Sequence, residues 1–314
     1  MLATKKALAH KTFVRFLCAS MVAIAMLFAT EVAYGQCEDA VPCVSNINDY
    51  QCIVTGSVAA LMGNKLLFYP GPAEITAQKI IVKTTLQIDV AYRFAAGREI
   101  IMLPGSKILV GSDFGTLGHV TIKGCGGSWE GIRVFSNGTL TLVNSDISDA
   151  CAAVDLMSGS KAQITGNTFK SNYFCIRAGG TITLLGEGIA HNMFKLPITS
   201  GCTGVNPHAI KLTNVPSITI GDIAQGGQPN TIQNYFTGIH AYNSNIDVYN
   251  TTVSFYSTST APAIRLLGEG GVYHATINGL GNMQNSSMLV NSYPKGIQAN
   301  NCHSFRYYPW QQIL

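Results

Sequence analysis

The sequence predicts an all-β chain wound as a right-handed parallel β-helix, and three observations carry that expectation. Seven times a Gly, Ala or Cys precedes a β-branched residue, a polar residue and another apolar or small one. The copies are Gly131-Ile132-Arg133-Val134, Ala153-Val154-Asp155-Leu156, Cys175-Ile176-Arg177-Ala178, Ala209-Ile210-Lys211-Leu212, Gly238-Ile239-His240-Ala241, Ala263-Ile264-Arg265-Leu266 and Gly296-Ile297-Gln298-Ala299. The β-branched residues follow one another at intervals of 22, 22, 34, 29, 25 and 33 residues. Such an elastic period with a floor belongs to solenoids, in which a fixed scaffold of strands carries loops of varied length. Around the copies, apolar residues recur at every second position among many Gly, Thr and Asn, which is a strand pattern and not a helical one. Parallel strands follow because the chain runs the same way in every turn, and the right hand follows from the rule for parallel crossovers.

The elements can be justified in chain order. Lys5, Lys6, Lys11 and Arg15 form a basic start, Phe16 to Ala29 is uncharged and mostly apolar, and Ala33-Tyr34-Gly35 places small residues before Gln36. Residues 1–35 are therefore expected to be a secretory signal peptide. The apolar run is shorter than the ~20 residues of a bilayer span, so no membrane span is expected after cleavage. Setting aside 1–35 removes four basic residues and one acid, leaving 16 Lys and Arg against 15 Asp and Glu. Without clustered Lys and Arg there is no electrostatic footprint for nucleic acid. Residues 36–74, with Cys37, Cys43, Cys52 and Pro70-Gly71-Pro72, are expected to form a short N-terminal cap. Residues 75–300 are the solenoid, its early turns less regular around Ile100 to Leu103, Lys107 to Val110 and His119 to Ile122. Residues 301–314 are either an incomplete last turn or an aromatic lid bearing Phe305, Tyr307, Tyr308 and Trp310.

Within one turn, the Gly-Ile-Arg-Val unit is the first strand. A second alternating strand follows, at Thr139 to Leu142, Ala162 to Ile164, Thr181 to Leu184, Ser217 to Ile220 and Asn245 to Val248. Two positions beyond its last apolar residue stand Asn144, Gly166, Gly186, Asp222 and Asn250, types that tolerate sharply turned backbone, so these positions are expected to be corners. A short third strand carries Ile147, Phe169, or Val253 with Phe255. Stacking like on like places Ile132, Val154, Ile176, Ile210, Ile239, Ile264 and Ile297 in one interior row. The eight cysteines beyond Cys18 form an even set that permits disulfides in an exported chain. Cys175 fills the small slot of its repeat and is expected to be a core residue. Cys151 is open between a core residue and a disulfide. No cysteine or histidine spacing suits zinc.

Trp129-Glu130-Gly131-Ile132-Arg133-Val134, Gly138-Thr139-Leu140-Thr141-Leu142 and Asn144-Ser145-Asp146-Ile147 resemble the repeats of right-handed parallel β-helix proteins of the pectate-lyase-like superfamily, and are most similar to large secreted or surface β-helix proteins of bacteria. The resemblance spans roughly 75–300. It implies the fold strongly and the activity weakly, because lyases, hydrolases and adhesins share it. It implies no resident cofactor, Ca2+ entering only for a lyase-like activity.

The residue after each interior Ile or Val points outward, giving the row Arg133, Asp155, Arg177, Lys211, His240, Arg265 and Gln298. This row is either a track for an acidic polysaccharide or a plain surface ladder in which Asp155 relieves the repulsion of two arginines. Tyr242 and Tyr249 are outward aromatics suited to sugar rings, whereas Phe236 and Phe255 are expected to fill the coil. Catalysis is poorly supplied: Asp155 is the only acid in the row, Asp146 and Asp149 lie a strand and corner away, and Gly118-His119-Val120 departs from a Gly-His-Gly unit. No carboxylate pair at glycosidase separation and no triad emerge. The protein expected is an exported surface or adhesion-type structural module without its own catalysis, whose partner is an extracellular polysaccharide or cell-surface component. The alternative is a carbohydrate binder or a polysaccharide lyase or glycoside hydrolase acting along the outer face of the first sheet. The oligomeric state stays open.

Overall fold

The computed structural model describes residues 34–35, 51–58, 79–196, 202, 206–223, 228–254, 261–269, 273–278, 297–300 and 304–308. The expected signal peptide, most of the cap, Phe255, and the Trp310 end of the tail lie outside the described residues. Parallel strands stack as a β-solenoid. One turn comprises Trp129–Val134, Thr139–Val143 and Asp146–Ser148, and the next comprises Ala150–Leu156, Lys161–Thr165 and Thr168–Lys170. Each strand pairs in parallel with its counterparts above and below. Three parallel ladders result, one for each strand of the turn, termed the first, second and third sheets; the first and third are joined at the early end by the ten-residue strand Lys79–Ile88, which serves both. Its first half pairs with Glu99–Met102 and its second half with Lys107–Val110. Gln51–Ser57, within the expected cap, pairs in parallel with this same strand. At the other end, Ser304–Tyr308 pairs in parallel with His274–Asn278.

The interior row forms in the expected register. Ile132 faces Val154, and Ile176, Ile210, Ile239, Ile264 and Ile297 follow strand by strand. Ile132 through Ile264 are fully buried. Each such side chain contributes about 1.5–3 kcal/mol by burial, and only the neighbouring turns provide that burial. The third sheet adds Ile147, Phe169, Phe194, Ile232 and Val253, with the Phe169 and Phe194 rings stacked at 5.2 Å. Gly131 sits where the first strand bends, at φ 122°, and an added Cβ would lie 1.6 Å from the Ala152 carbonyl oxygen, so only glycine fits.

Two corners differ from the expected positions. In the turn after Gly166, Leu184 aligns with Ala162, but the chain then swells through Gly186 and Gly188 before Ile189 takes the place opposite Ile164. The corner therefore moves from Gly186 to His191, whose φ is 59°. In the next turn the left-handed residue is Gly221 (φ 93°) and not Asp222. A Cβ on Gly221 would meet the Tyr249 carbonyl oxygen at 1.8 Å, so the adjacent strand dictates which residue bends. Asn144, Gly166, Gly186 and Asn250 do take positive φ as expected, Gly186 within the swelling and not at the aligned corner.

Just past these corners runs a buried polar row that the sequence pattern does not announce. Ser145, Asn167, Asn192 and Asn230 point inward with at most 1% exposure. The side-chain oxygen of Asn167 accepts from the Ser145 backbone N–H at 2.9 Å, that of Asn192 from the Asn167 N–H at 3.0 Å, and that of Asn230 from the Asn192 N–H at 2.8 Å. Their amide nitrogens donate to the carbonyls of Leu142, Ile164 and Ile189. Each asparagine thus satisfies backbone groups that the turning chain removes from the strand pairing.

Cys175 is buried and free, as the small slot of its repeat implies. Its sulfur lies 2.8 Å from the Tyr235 hydroxyl, which donates to the Asn172 carbonyl at 2.9 Å. Burial pushes both the thiol and the phenol pKa well up. Tyr235 is the aromatic that fills the coil here, and Phe236, expected to do so, is half-exposed.

Candidate functional site

The outward row of the first sheet assembles strand by strand. Arg133 faces Asp155, Asp155 faces Arg177, and Lys211, His240, Arg265 and Gln298 follow in single steps. Adjacent members therefore stand about 4.8 Å apart along the backbone, close enough for side chains to touch. Upstream the row loses its charge at Leu109, which faces Arg133.

Its first half is an ion-paired cluster. Arg177 donates from Nε and a terminal nitrogen to the two Asp155 oxygens at 2.8 and 2.7 Å, and Arg133 Nε donates at 3.1 Å. The Asp155 side chain is only 10% exposed, against 43% and 39% for Arg133 and Arg177. Burial alone would raise its pKa, yet the hydrogen bonds and charge of Arg177, then those of Arg133, hold the carboxyl below the usual carboxylate range. Asp155 is thus less a surface rung than a buried counter-ion. Arg177→Ala should cost about 1–3 kcal/mol in chemical denaturation, because Asp155 would keep only one partner. The dent between Lys107, Glu130, Arg133 and Asp155 encloses about 10 Å3, room for one water and not for a sugar.

The second half has the opposite character. Lys211, His240 and Arg265 succeed one another, and no acid faces them among the described residues. Nor do residues 197–205 or 255–260 contain any Asp or Glu, and none follows Glu269 in the chain. Glu269 itself accepts the Tyr242 hydroxyl, raising the phenol pKa chiefly through that hydrogen bond. Behind this run stands His208, which the sequence reading missed. It precedes Ile210 by two residues and stacks between Phe174 and Thr237 in the neighbouring row. His208 Nε2 and His240 Nδ1 share a hydrogen bond of 3.2 Å, with ring centroids 4.7 Å apart and nearly perpendicular. Lys211 Nζ sits 5.4 Å from the Phe174 ring centre, a cation–π distance.

The imidazole pKa values follow from this setting. Burial first, then the charges of His240, Lys211 and Arg265, push His208 down to about 3 despite a backbone hydrogen bond with Thr237. Burial, then Arg265 and Lys211, push His240 down to about 4. Both lie below the unfolded value of about 6.5, so their contribution to stability is complete above that pH and is lost as pH falls toward 4 and 3. Lowering the pH from 7 to 4 should remove on the order of 2 kcal/mol, allowing for the half-exposed His240. The paired substitution His208→Gln with His240→Gln should flatten that slope, measured by denaturation at each pH.

A disulfide borders the site. Cys151, at the start of one first-sheet strand, is bonded to Cys202, 51 residues on, with Cα atoms 5.7 Å apart. Cys202 packs beside Ala152, Tyr173 and Phe174. Replacing both cysteines with Ser should cost about 2–4 kcal/mol, read as a lower midpoint of thermal unfolding. Tyr242 lies in the register between Thr213 and Leu267, two residues beyond His240 on the same outer face. Tyr249, the other expected sugar contact, ends a second-sheet strand, so the two do not share a face. Asp146 meets His119 Nε2 at 3.1 Å on the third sheet, away from this row. Compared with known proteins, the chain matches no family model, no curated protein and no solved structure.

Proposed function

We propose that the protein is an exported β-solenoid acting as a structural or adhesive surface module, and that it meets an acidic extracellular polysaccharide along the outer face of its first sheet without doing chemistry on it. The supporting observation is the division of that face. Asp155 pairs with both Arg133 and Arg177, whereas Lys211 and Arg265, flanking the neutral His240, form a cationic run with no acid opposite among the described residues. An uncompensated row at strand spacing suits a polyanion, and Tyr242 beside it offers a ring to a sugar. The one carboxylate of the row is held ionised by two arginines, which suits a structural counter-ion better than a proton-transfer group. The repeats' resemblance to secreted bacterial β-helix proteins of the pectate-lyase-like superfamily supports export and an extracellular partner. Among the described residues no helix is long and apolar enough to cross a membrane.

The test is to incubate the mature protein with a panel of acidic polysaccharides, with and without Ca2+, following both binding and ultraviolet absorbance. Binding that weakens with added salt is expected, because exposed charges are screened within about 8 Å at physiological ionic strength. Unsaturated, ultraviolet-absorbing products would overturn the non-catalytic reading in favour of a lyase.

A further inference from the structure

The unpaired half of the face has a more specific chemistry than positive charge. Two of its nitrogens are buried and have no hydrogen-bond partner: His240 Nε2 and Arg265 Nε. If His208 Nε2–H donates to His240 Nδ1, the neutral His240 must carry its own proton on Nε2. That tautomer makes Nε2 a donor beside the Arg265 guanidinium. The ammonium of Lys211 is one strand away on the other side. Donors therefore approach from three successive strands, and every charged group around them, Lys211 and Arg265, is cationic. Arg177, the next member of the row, is already taken by Asp155.

We propose that Lys211, His240 and Arg265, backed by His208, form a site for a tetrahedral oxyanion, and specifically for the sulfate ester of a glycan. The proposal rests on the first sheet's outer face being the binding face. A sulfate presents three free oxygens to donors standing on three successive strands, whereas a carboxylate presents two in one plane. Buried donors that lack partners are costly, and an accepting oxygen would recover that cost. A sulfate ester also stays ionised throughout the range in which the two imidazoles gain protons. A uronate loses its charge within that same range, at roughly the usual carboxylate pKa.

The experiment uses the full mature chain with its disulfides intact. Imidazole C–H resonances are followed by NMR during titration with sodium sulfate, a sulfated oligosaccharide and an oligogalacturonate of equal length, at pH 7 and 5.5 and constant ionic strength. The His208 and His240 signals should shift with sulfate, and the sulfated oligosaccharide should bind about tenfold more tightly than the uronate. Affinity for the sulfated chain should change by no more than about twofold between pH 7 and 5.5, because His208 and His240 are neutral at both. Arg265→Gln and Lys211→Gln should each weaken it about tenfold, while Lys161→Gln on the second sheet leaves it within about twofold. Circular dichroism establishes that each variant keeps its fold. Equal affinity for sulfated and uronate chains would overturn the proposal, as would sulfate binding indifferent to Arg265 and Lys211. Imidazole shifts with inorganic sulfate but with no polymer would keep the oxyanion site and remove the polymer-binding role. Polymer binding that ignores these substitutions would do the reverse.

Discussion

Ile176→Asp should abolish folding or remove at least about 4 kcal/mol of stability, the largest loss of any single change considered. Ile176 is fully buried between Val154 and Ile210, with aliphatic side chains above and below and no donor within the row. A carboxylate there has no partner and no route to water, so it must either take up a proton or break the stack. The neighbouring turns bury one another, so the damage should spread: the turns on both sides lose their shared face. Denaturant unfolding followed by circular dichroism gives the comparison with Arg177→Ala, one residue away and outward. Comparable losses from both would contradict the register.

Asn192→Leu should cost about 3–5 kcal/mol although the side chain keeps the same number and branching of heavy atoms. Asn192 serves three groups at once. Its oxygen accepts from the Asn167 N–H and from the Asn167 side-chain amide, and its nitrogen donates to the Ile164 carbonyl at 2.7 Å. Leucine removes these partners from the buried Asn167 N–H and Ile164 carbonyl and leaves the Asn167 amide with the Leu142 carbonyl alone. The loss should appear as faster amide hydrogen exchange at Asn167, ahead of any change at the Ile132 end of the stack. Asn144→Gly at the exposed corner is the contrast. It keeps the positive φ of 50° and should move stability by no more than about 0.5 kcal/mol. A leucine variant as stable as the wild type would mean that the asparagine row is decorative.

The interior row could be read from the chain because Ile and Val recur in one local context, and stacking tolerates loops of any length between copies. The pairing of Asp155 with its two arginines was visible for the same reason: residues at matching positions must meet. Corners were harder. Ile182 and Leu184 imitate the second strand so well that the swelling at Gly186 and Gly188 passes unnoticed, and the true corner falls on His191. The buried asparagines escaped notice because asparagine ordinarily signals a turn, and Asn167, Asn192 and Asn230 sit beside turns while pointing inward. His208 was missed because its contact with His240 depends on how two strands bend before their regular part, which no alternation pattern records. The acid-free second half was present in composition all along, but only the register shows that Lys211, His240 and Arg265 are consecutive on one surface.

Cys175 turns the middle of the stack into a clock. Its thiol is closed off from solvent, bonded to Tyr235 and held in the protonated form, which does not react with alkylating reagents. Labelling must therefore wait for the surrounding turns to part. If reclosure outruns labelling, the rate measures how often the centre of the solenoid opens, in free-energy units; if not, it measures the opening rate itself. Because the Cys175–Tyr235 contact joins residues 60 apart in sequence, one modified sulfur reports on a cooperative event spanning several turns. Bound glycan should slow that clock to the extent that it ties those turns together.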